Sequence, residues 1–415
     1  MKYTPLVSLL ALLFTSIAHT AEFRIWTSTN GTAIDAQLIN FEGNSVNLAT
    51  KEPRNIRVRT SELSLADRQY LIDYADADEK LLFKADPAVP EHSYRKPQDF
   101  ITKREENLEF EGVSEPFEVY ETAHFVFAAT RGVKVTGIAE TAESTWHGMA
   151  FQHLEFRENW GDRKYLIVLP ENEEIYKQLG SYEQQALKAN GHGEHAGRIA
   201  MTWDRVASAG ITAPAEAISS LNLKERGDVF NGRDPKLYRK DFVPFQTHVI
   251  CSSLFSEQAG GVSSISSTGY FALSTGHAYY KEIQLAKKTE TNLIASGGYE
   301  GNEIATKSGF DDGTSWARSL RKLVRKGEIK PDLEQILALK GAADLSPETL
   351  VTMYSLSCYM QSTQKRIASY AKLIRRVNTS DQVPVPGEFV KFFDFETVEE
   401  FEEDWTEFVK SSDFG

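Results

Sequence analysis

Two neighbouring stretches of the chain contain the side chains best suited to bind a metal or to move a proton. The first, Phe245–Phe255, carries His248 among apolar residues at helical spacing, and the second begins at Tyr270 and carries His277. A catalytic zinc ion needs two imidazoles one helical turn apart, a third ligand from a neighbouring element and an open position for water. A carboxylate beside the first imidazole must then accept a proton from that water. The chemistry to test is therefore zinc-dependent hydrolysis.

The order of these two helices resembles the gluzincin metallopeptidase fold, in particular bacterial peptidase-like domains that follow a small β module. In that family a His-Glu-x-x-His helix precedes a helix that begins Trp-Leu-x-Glu-Gly-x-Ala-x-Tyr. Here the second of these helices reads Tyr-Phe-Ala-Leu-Ser-Thr-Gly-His-Ala-Tyr-Tyr. The resemblance spans about residues 117–410 and implies a peptide cleft beside a zinc-binding helix.

Three of the four positions that zinc chemistry needs have changed. The resemblance places the first ligand at His248, the general base at Val249, the second ligand at Ser252 and the third ligand at Thr275. A hydroxyl is a poor zinc ligand, and valine has no group that can move a proton. We therefore expect no catalytic residue, no metal ligand set and no cofactor, with His248, Ser252 and Thr275 as vestigial positions.

An active hydrolase with a relocated site is the alternative. Such a site would draw on His248, His277, Glu282 or Glu194. His277 lies two residues beyond the ligand position, about 200° around a helix, so we expect it to point away. The stretch 191–197 contains His192 and His195, but its three glycines favour a surface loop over a metal-binding helix.

The two cysteines, Cys251 and Cys358, both lie in apolar helical surroundings. In an oxidising compartment they could form a disulfide if their helices touch, and two buried thiols fit the sequence equally well. A chain with so few cysteines has neither a disulfide-rich scaffold nor a cysteine-based zinc ribbon.

The elements that would position these residues form one continuous α+β pattern over 117–410. Strands are predicted at Ala123–Phe127 and Tyr165–Leu169, because each is a short apolar run. An acidic helix that runs through Tyr176 is predicted next, and a second helix from Ser181, where a capping box begins.

Capping sequences also mark the closing helices. Ser346-Pro347 supplies a cap and a first-turn proline, and Thr397 with Glu400 forms a second capping box. Residues 411–415 are predicted to be a short tail.

Residues 22–75 are predicted to form a separate small β module. Apolar and polar residues alternate with a period of two through this region, as in strands with one buried face. Asn30-Gly31 and Gly43-Asn44 supply residues that tolerate the turns of hairpins. Short strands over about fifty residues predict a small SH3-like β-barrel.

The order of residues in this module resembles the Sla-type homology domain. The segments that carry the resemblance are Arg24-Ile25-Trp26-Thr27, Val46-Asn47-Leu48, Ile56-Arg57-Val58 and Leu63-Ser64-Leu65-Ala66-Asp67. That family is known from yeast endocytic adaptors, where it binds short Asn-Pro-Phe peptides, and from exported proteins of planctomycete- and verrucomicrobia-type bacteria. The resemblance implies protein or peptide binding, with Arg24 and Trp26 as candidate binding residues. Trp26 is equally suited to be a core aromatic residue.

Residues 1–21 are typical of a secretory signal peptide. Lys2 precedes the apolar run Leu6–Phe14, and small residues then lead to Ala18 and Ala21, either of which fits cleavage. No later segment has about 18 uninterrupted apolar residues, so we expect no transmembrane segment in the mature chain. The expected location is the periplasm or the extracellular space.

Composition and charge complete the expectation. The 415 residues carry a net charge of −13, which argues against nucleic acid as a partner. Residues 76–116 are predicted to be a linker with a short helix near Leu81–Phe83. The fold class expected is α+β, with a small SH3-like β-barrel followed by a mixed, mainly helical gluzincin-like domain. The function expected is that of an exported, non-catalytic pseudo-metallopeptidase that binds an unidentified protein or peptide ligand. Besides the relocated hydrolase, a structural envelope protein is the further alternative.

Overall fold

The computed structural model describes 12 ranges of the chain. They are 22–28, 32–42, 45–52, 54–64, 66–68, 70–71, 100–152, 163–232, 243–259, 268–289, 313–380 and 382–414. The predicted signal peptide and the predicted helix near Leu81–Phe83 lie outside the described residues.

The strands form two sheets. In chain order they are β1 (Phe23–Thr27), β2 (Ala33–Glu42), β3 (Ser45–Thr50), β4 (Asn55–Arg59), β5 (Thr102–Leu108), β6 (Phe117–Glu121), β7 (Phe125–Ala129), β8 (Lys164–Leu169), β9 (Ser208–Thr212) and β10 (Leu223–Phe230).

The helices are concentrated after β7. In chain order they are α1 (Thr136–Gln152), α2 (Glu173–Ala189), α3 (Gly193–Thr202), α4 (Ala215–Ser220), α5 (Val243–Ala259), α6 (Tyr270–Ala286), α7 (Trp316–Arg325), α8 (Leu333–Leu337), α9 (Pro347–Met360), α10 (Gln364–Ser380), α11 (Pro386–Phe389) and α12 (Val398–Lys410).

The N-terminal module is an antiparallel sheet in the order β1-β2-β3-β4. The predicted antiparallel β module is confirmed, but the described strands do not close into a barrel. On its other side, within the described residues, the chain at the end of β1 forms an isolated bridge between Ser28 and Leu63 and a hydrogen bond from the N–H of Thr27 to Oδ2 of Asp67. The alternating residues Ala36, Val46 and Leu48 are fully buried, as expected for a sheet with one buried face.

The larger sheet has the order β5-β6-β7-β8-β10-β9. β8 lies parallel to both β7 and β10, whereas β5, β6 and β9 are antiparallel to their neighbours. β5 lies within the range predicted to be a linker, so the sheet begins earlier than expected. Six of the seven β5 side chains are exposed, which explains why no apolar period reveals this edge strand.

Helices cover both faces of the central strands. Tyr165 and Ile167 pack with α1 and α5 on one face, and Leu166 and Val168 pack with α2 on the other. This alternation within β8 explains why its sequence is a continuous apolar run. A third core, rich in aromatic residues, joins α6 to α7, α9, α10 and α12.

Two helix predictions are wrong and two are confirmed. α2 runs unbroken past Ser181, where a new helix was predicted, and α3 includes the glycine-rich stretch that was predicted to be a loop. The capping boxes at Ser346 and Thr397 are both present, so α9 and α12 begin where the sequence predicts.

Candidate functional site

His248 and Glu282 form a buried hydrogen-bonded pair between α5 and α6. Nδ1 of His248 lies 3.0 Å from Oε2 of Glu282, and the imidazole also meets the ring of Tyr279 at a centroid distance of 4.6 Å. The Glu282 side chain is completely buried, and that of His248 is 8% exposed. A buried carboxylate needs such a partner, because burial without one is costly. The pair therefore connects the two helices that the sequence singles out.

The other positions compared with a zinc site contribute no carboxylate or imidazole. Val249 packs in the apolar cluster between α5 and the sheet, Ser252 is half-buried and Thr275 is buried. Within the part of the chain that the structure describes, no three histidine, cysteine, aspartate or glutamate side chains are grouped to hold a metal ion.

The residues named for a relocated hydrolase do not all meet. His277 is buried with different partners from His248, because its Nε2 lies 3.1 Å from Sδ of Met149 and its Nδ1 lies 3.3 Å from Nε2 of Gln361. Glu194 is exposed in the first turn of α3. Of the four residues named for that hypothetical site, the structure brings together His248 and Glu282.

Of the two neighbouring histidines, His192 is the N-cap residue that precedes α3, and His195 lies in the first turn of the helix. His192 is exposed, whereas His195 is half-buried, and burial with nearby cations lowers the pKa of His195. The turn before α3 uses Gly191 in the left-handed region, at φ 82°. Glycine therefore permits the turn here, and it does not prevent the helix.

Lys281 is a buried lysine that no sequence pattern indicates. Its Nζ donates to the backbone oxygen of Gly148 at 3.0 Å, and burial lowers the pKa of Lys281 to about 7. Cys251 and Cys358, which lie near Lys281, are free and buried thiols. Burial raises the pKa of Cys358 to about 12 and that of Cys251 further, so both thiols are protonated at neutral pH and are poor nucleophiles.

Asp228 is a buried acid on β10, beneath α5. Burial raises its pKa to about 7, although hydrogen bonds with Ser253 and Tyr165 oppose the shift. The sequence signal is weak, because one acid between Gly227 and Val229 resembles the exposed residue of an alternating strand.

A second histidine–carboxylate pair joins the start of β7 to α1. Nδ1 of His124 lies 2.7 Å from Glu143 Oε2, and the backbone N–H of His124 donates to Oε1 at 2.9 Å. The imidazole stacks on Trp146 at 4.4 Å, and Glu143 is fully buried. A carboxylate that fixes Nδ1 sets the orientation of an imidazole. Nothing in the local sequence reveals this pair, since its members are 19 residues apart.

In the N-terminal module, Arg24 lies over two aromatic rings. Its guanidinium carbon is 4.6 Å from the ring centre of Trp26 and 4.0 Å from that of Tyr70, and Nη2 is 2.8 Å from Oδ1 of Asp67. Trp26 is only 1% exposed, and its Nε1 donates to Ala36 O at 3.0 Å. Trp26 could be either a binding residue or a core residue from its sequence, and the structure places it in the core. The Arg24 side chain remains 26% exposed.

Apolar surface is concentrated on the outer face of the same sheet. Five large apolar side chains are exposed among the described residues, and three of them, Phe23, Ile25 and Ile39, belong to β1 and β2. Phe23 and Ile25 alternate with Arg24 and Trp26, so they point away from the core. A cluster of exposed apolar side chains on one face is a feature of interaction surfaces.

Comparisons with family models, with curated proteins and with solved structures each find no match for this chain. Among the helices that the structure describes, none has both the length and the apolar character needed to cross a bilayer.

Proposed function

We propose that this chain is an exported, non-catalytic binding protein that holds an extended segment of a protein or peptide at the β1 edge of its SH3-like module. In this proposal the larger domain is a gluzincin-like scaffold without peptidase chemistry. The observation that carries the proposal is the exposed apolar edge formed by Phe23 and Ile25, which are 45% and 64% exposed.

The hydrogen bonds at the end of β1 define which backbone groups face the edge. The N–H of Ser28 donates to the oxygen of Thr32 in the β1–β2 hairpin. Thr27 faces the opposite way, because its N–H donates to Oδ2 of Asp67 at 2.6 Å and its oxygen accepts from the N–H of Ser64 at 2.7 Å. Neighbouring residues of an antiparallel strand alternate in this way.

The same alternation directs the N–H and C=O groups of Phe23 and Ile25 away from β2. An added strand would hydrogen-bond to these groups, as in other cases of recognition by strand addition. Its side chains would meet the outer apolar face on one side and the partly exposed Arg24 on the other. Affinity would come from the backbone bonds, and preference for apolar residues from Phe23 and Ile25.

We infer the absence of turnover from the His248–Glu282 pair between α5 and α6. The imidazole of His248 shares a hydrogen bond with Glu282, and the base position is the hydrocarbon side chain of Val249. Peptidase chemistry needs a carboxylate that can accept a proton from the attacking water. The resemblance to a peptidase is therefore proposed to concern the scaffold and not the reaction.

A peptide-display selection with the full mature chain tests the proposal. We expect enriched extended peptides with alternating apolar residues. In a fluorescence-polarisation titration, Ile25→Lys should weaken their binding by at least about tenfold, since it places a charge on the apolar edge. Val385→Lys is the matched control, because Val385 is a similarly exposed apolar residue, at 68%, elsewhere in the chain.

A backbone variant separates strand addition from simple apolar contact. Ile25→Pro removes an N–H that points away from β2, so it should abolish strand addition while β1 keeps its bonds to β2. Circular dichroism checks that the fold is retained. Unchanged peptide binding by both Ile25 variants would refute the proposal.

A further inference from the structure

A cleft of about 830 Å³ opens in the larger domain, away from the His248–Glu282 pair. It lies between α2, the end of β9, α4 and the start of β10, on the face of the sheet that α2 covers. Apolar side chains, among them Ala186, Ala213 and Ile218, form much of its wall. A concave, largely apolar cleft with a few polar groups is the usual form of a binding site.

Among the described residues, the arginine that lines this cleft already has its charge compensated. Nη1 of Arg226 donates to Oε1 of Glu183 and to Oγ1 of Thr212, each at 2.6 Å. Glu183 is fully buried, and its Oε2 accepts from the N–H of Thr212 at 2.6 Å. This network holds Arg226 in place and leaves no net charge on the Arg226–Glu183 pair.

Two further carboxylates on the cleft wall lack such compensation. Glu111 and Glu225 line the cleft and are both exposed. Neither side-chain carboxylate forms a hydrogen bond or an ion pair with another residue in the described ranges. Because the charges of Arg226 and Glu183 cancel, the net negative charge at the cleft comes from the carboxylates of Glu111 and Glu225.

We infer that this cleft binds a lysine or arginine side chain that a polypeptide partner presents. Such a side chain has an apolar stem that would pack against Ala213 and Ile218, and a cationic head that would reach Glu111 and Glu225. The overall charge of −13 also favours the approach of a cationic partner. The cleft is separate from the β1 edge, so this inference does not depend on the proposed function.

Calorimetric titration of the full chain tests the inference with two short peptides. One is an acetylated and amidated alanine–arginine–alanine peptide, and the other has citrulline in place of arginine, which keeps the shape but removes the charge. We expect saturable binding of the arginine peptide, at least about tenfold tighter than that of the citrulline peptide, and weaker at high salt. A lysine peptide should also bind, and free putrescine should bind more weakly than either cationic peptide.

Variants locate the binding in the cleft. The double variant Glu111→Gln with Glu225→Gln should weaken the arginine peptide by at least about tenfold. Glu216→Gln, on an exposed glutamate of α4 outside the cleft wall, is the matched control and should change nothing. Ala215→Trp, at an exposed wall position, should block the cleft without changing its charge.

Several results would overturn the inference. They are equal binding of the arginine and citrulline peptides, no saturable binding of either, putrescine binding as tightly as the peptides, or retained binding in the double variant and in Ala215→Trp. Ile25→Lys should leave this binding unchanged, so failure here is distinguishable from failure of the proposal for β1.

Discussion

Glu282 lies seven residues after Thr275 on α6, and its Oε2 is 3.0 Å from Nδ1 of His248 on α5. Seven residues are almost two helical turns, so Glu282 lies on the same face of α6 as the position compared with a zinc ligand. The imidazole and this carboxylate therefore bond to each other between the helices. This contact stabilises the packing of α5 on α6, and a change that removes either side chain would take a buried hydrogen-bond partner away from the other.

The first prediction concerns zinc. Titration of the metal-free protein should show no tight binding of one equivalent, because the resemblance leaves His248 as the single imidazole of the motif, next to the hydroxyls of Ser252 and Thr275. Calorimetry with a competing chelator measures this. One equivalent bound in the micromolar range, and lost in His248→Ala, would contradict both this prediction and the non-catalytic proposal.

The second prediction concerns Lys281 and alkaline pH. Its pKa is about 7 in the folded protein against 10.5 for an ordinary lysine, so between these values the unfolded chain binds the additional proton. The contribution of Lys281 to the free energy of unfolding should therefore rise as the pH rises from 7 towards 10.5, by roughly 1.4 kcal/mol per pH unit at most. Urea unfolding at several pH values should show this slope in the wild type and not in Lys281→Met. Lys322→Met, at an exposed lysine, should keep it.

The third prediction concerns Asp228 and acidic pH, where the sign is opposite. The pKa of Asp228 is raised from 3.8 to about 7, so the folded protein binds the additional proton between these values. This contribution to stability is complete below about pH 4 and is lost as the pH rises through 7. Asp228→Asn should remove this slope in urea unfolding, whereas Asp413→Asn, at an exposed aspartate, should not. Identical slopes in wild type and Asp228→Asn would show that Asp228 titrates normally.

Local sequence signals predicted the ends of helices better than their continuity. The caps at Ser346 and Thr397 are correct because the interacting residues are three apart. The continuity of α2 was missed because a β-carbon at Gly180 would lie 2.6 Å from Nε1 of Trp203, a packing requirement that local sequence does not reveal. The helix at Gly193 was missed because glycine has a low helix propensity, whereas α3 buries Ala196 and packs on α2.

The candidate site could be predicted only in part. The two helices that carry His248 and Glu282 were recognised, but their hydrogen bond joins residues 34 apart and depends on how α5 packs on α6. The cleft at Arg226 was not predicted, because its wall combines residues from four elements. The edge strand β5 was not predicted, because its sequence is largely charged and lacks an apolar period.

The fourth prediction compares two aspartates of the N-terminal module. Asp67 is buried and binds Arg24, Ser64 Oγ and the N–H of Thr27, whereas Asp35 has an exposed ion pair with Lys51. Asp67→Ala should destabilise the module by about 1–3 kcal/mol, because the half-buried N–H of Thr27 loses its acceptor and Arg24 loses its ion pair. Asp35→Ala should cost no more than about 1 kcal/mol.

Hydrogen exchange of the β1 amides measures a local loss of stability in the module separately from global unfolding. Protection of Trp26 and Arg24 amides should fall in Asp67→Ala and persist in Asp35→Ala. Equal loss of protection in the two variants would mean that burial does not distinguish these carboxylates.

The fifth prediction concerns the contact of α6 with α9. A β-carbon at Gly276 would lie 2.8 Å from the backbone oxygen of Met353 and 2.9 Å from Oγ of Ser357. Gly276→Ala should therefore force the helices apart and lower the free energy of unfolding by about 1–3 kcal/mol, although alanine favours a helix. Gly197→Ala on α3 is the control, because a β-carbon there meets nothing within 4 Å and should stabilise by about 0.5–1 kcal/mol. Thermal unfolding should move in opposite directions for the two variants, and stabilisation by Gly276→Ala would show that α6 and α9 are not in close contact at this position.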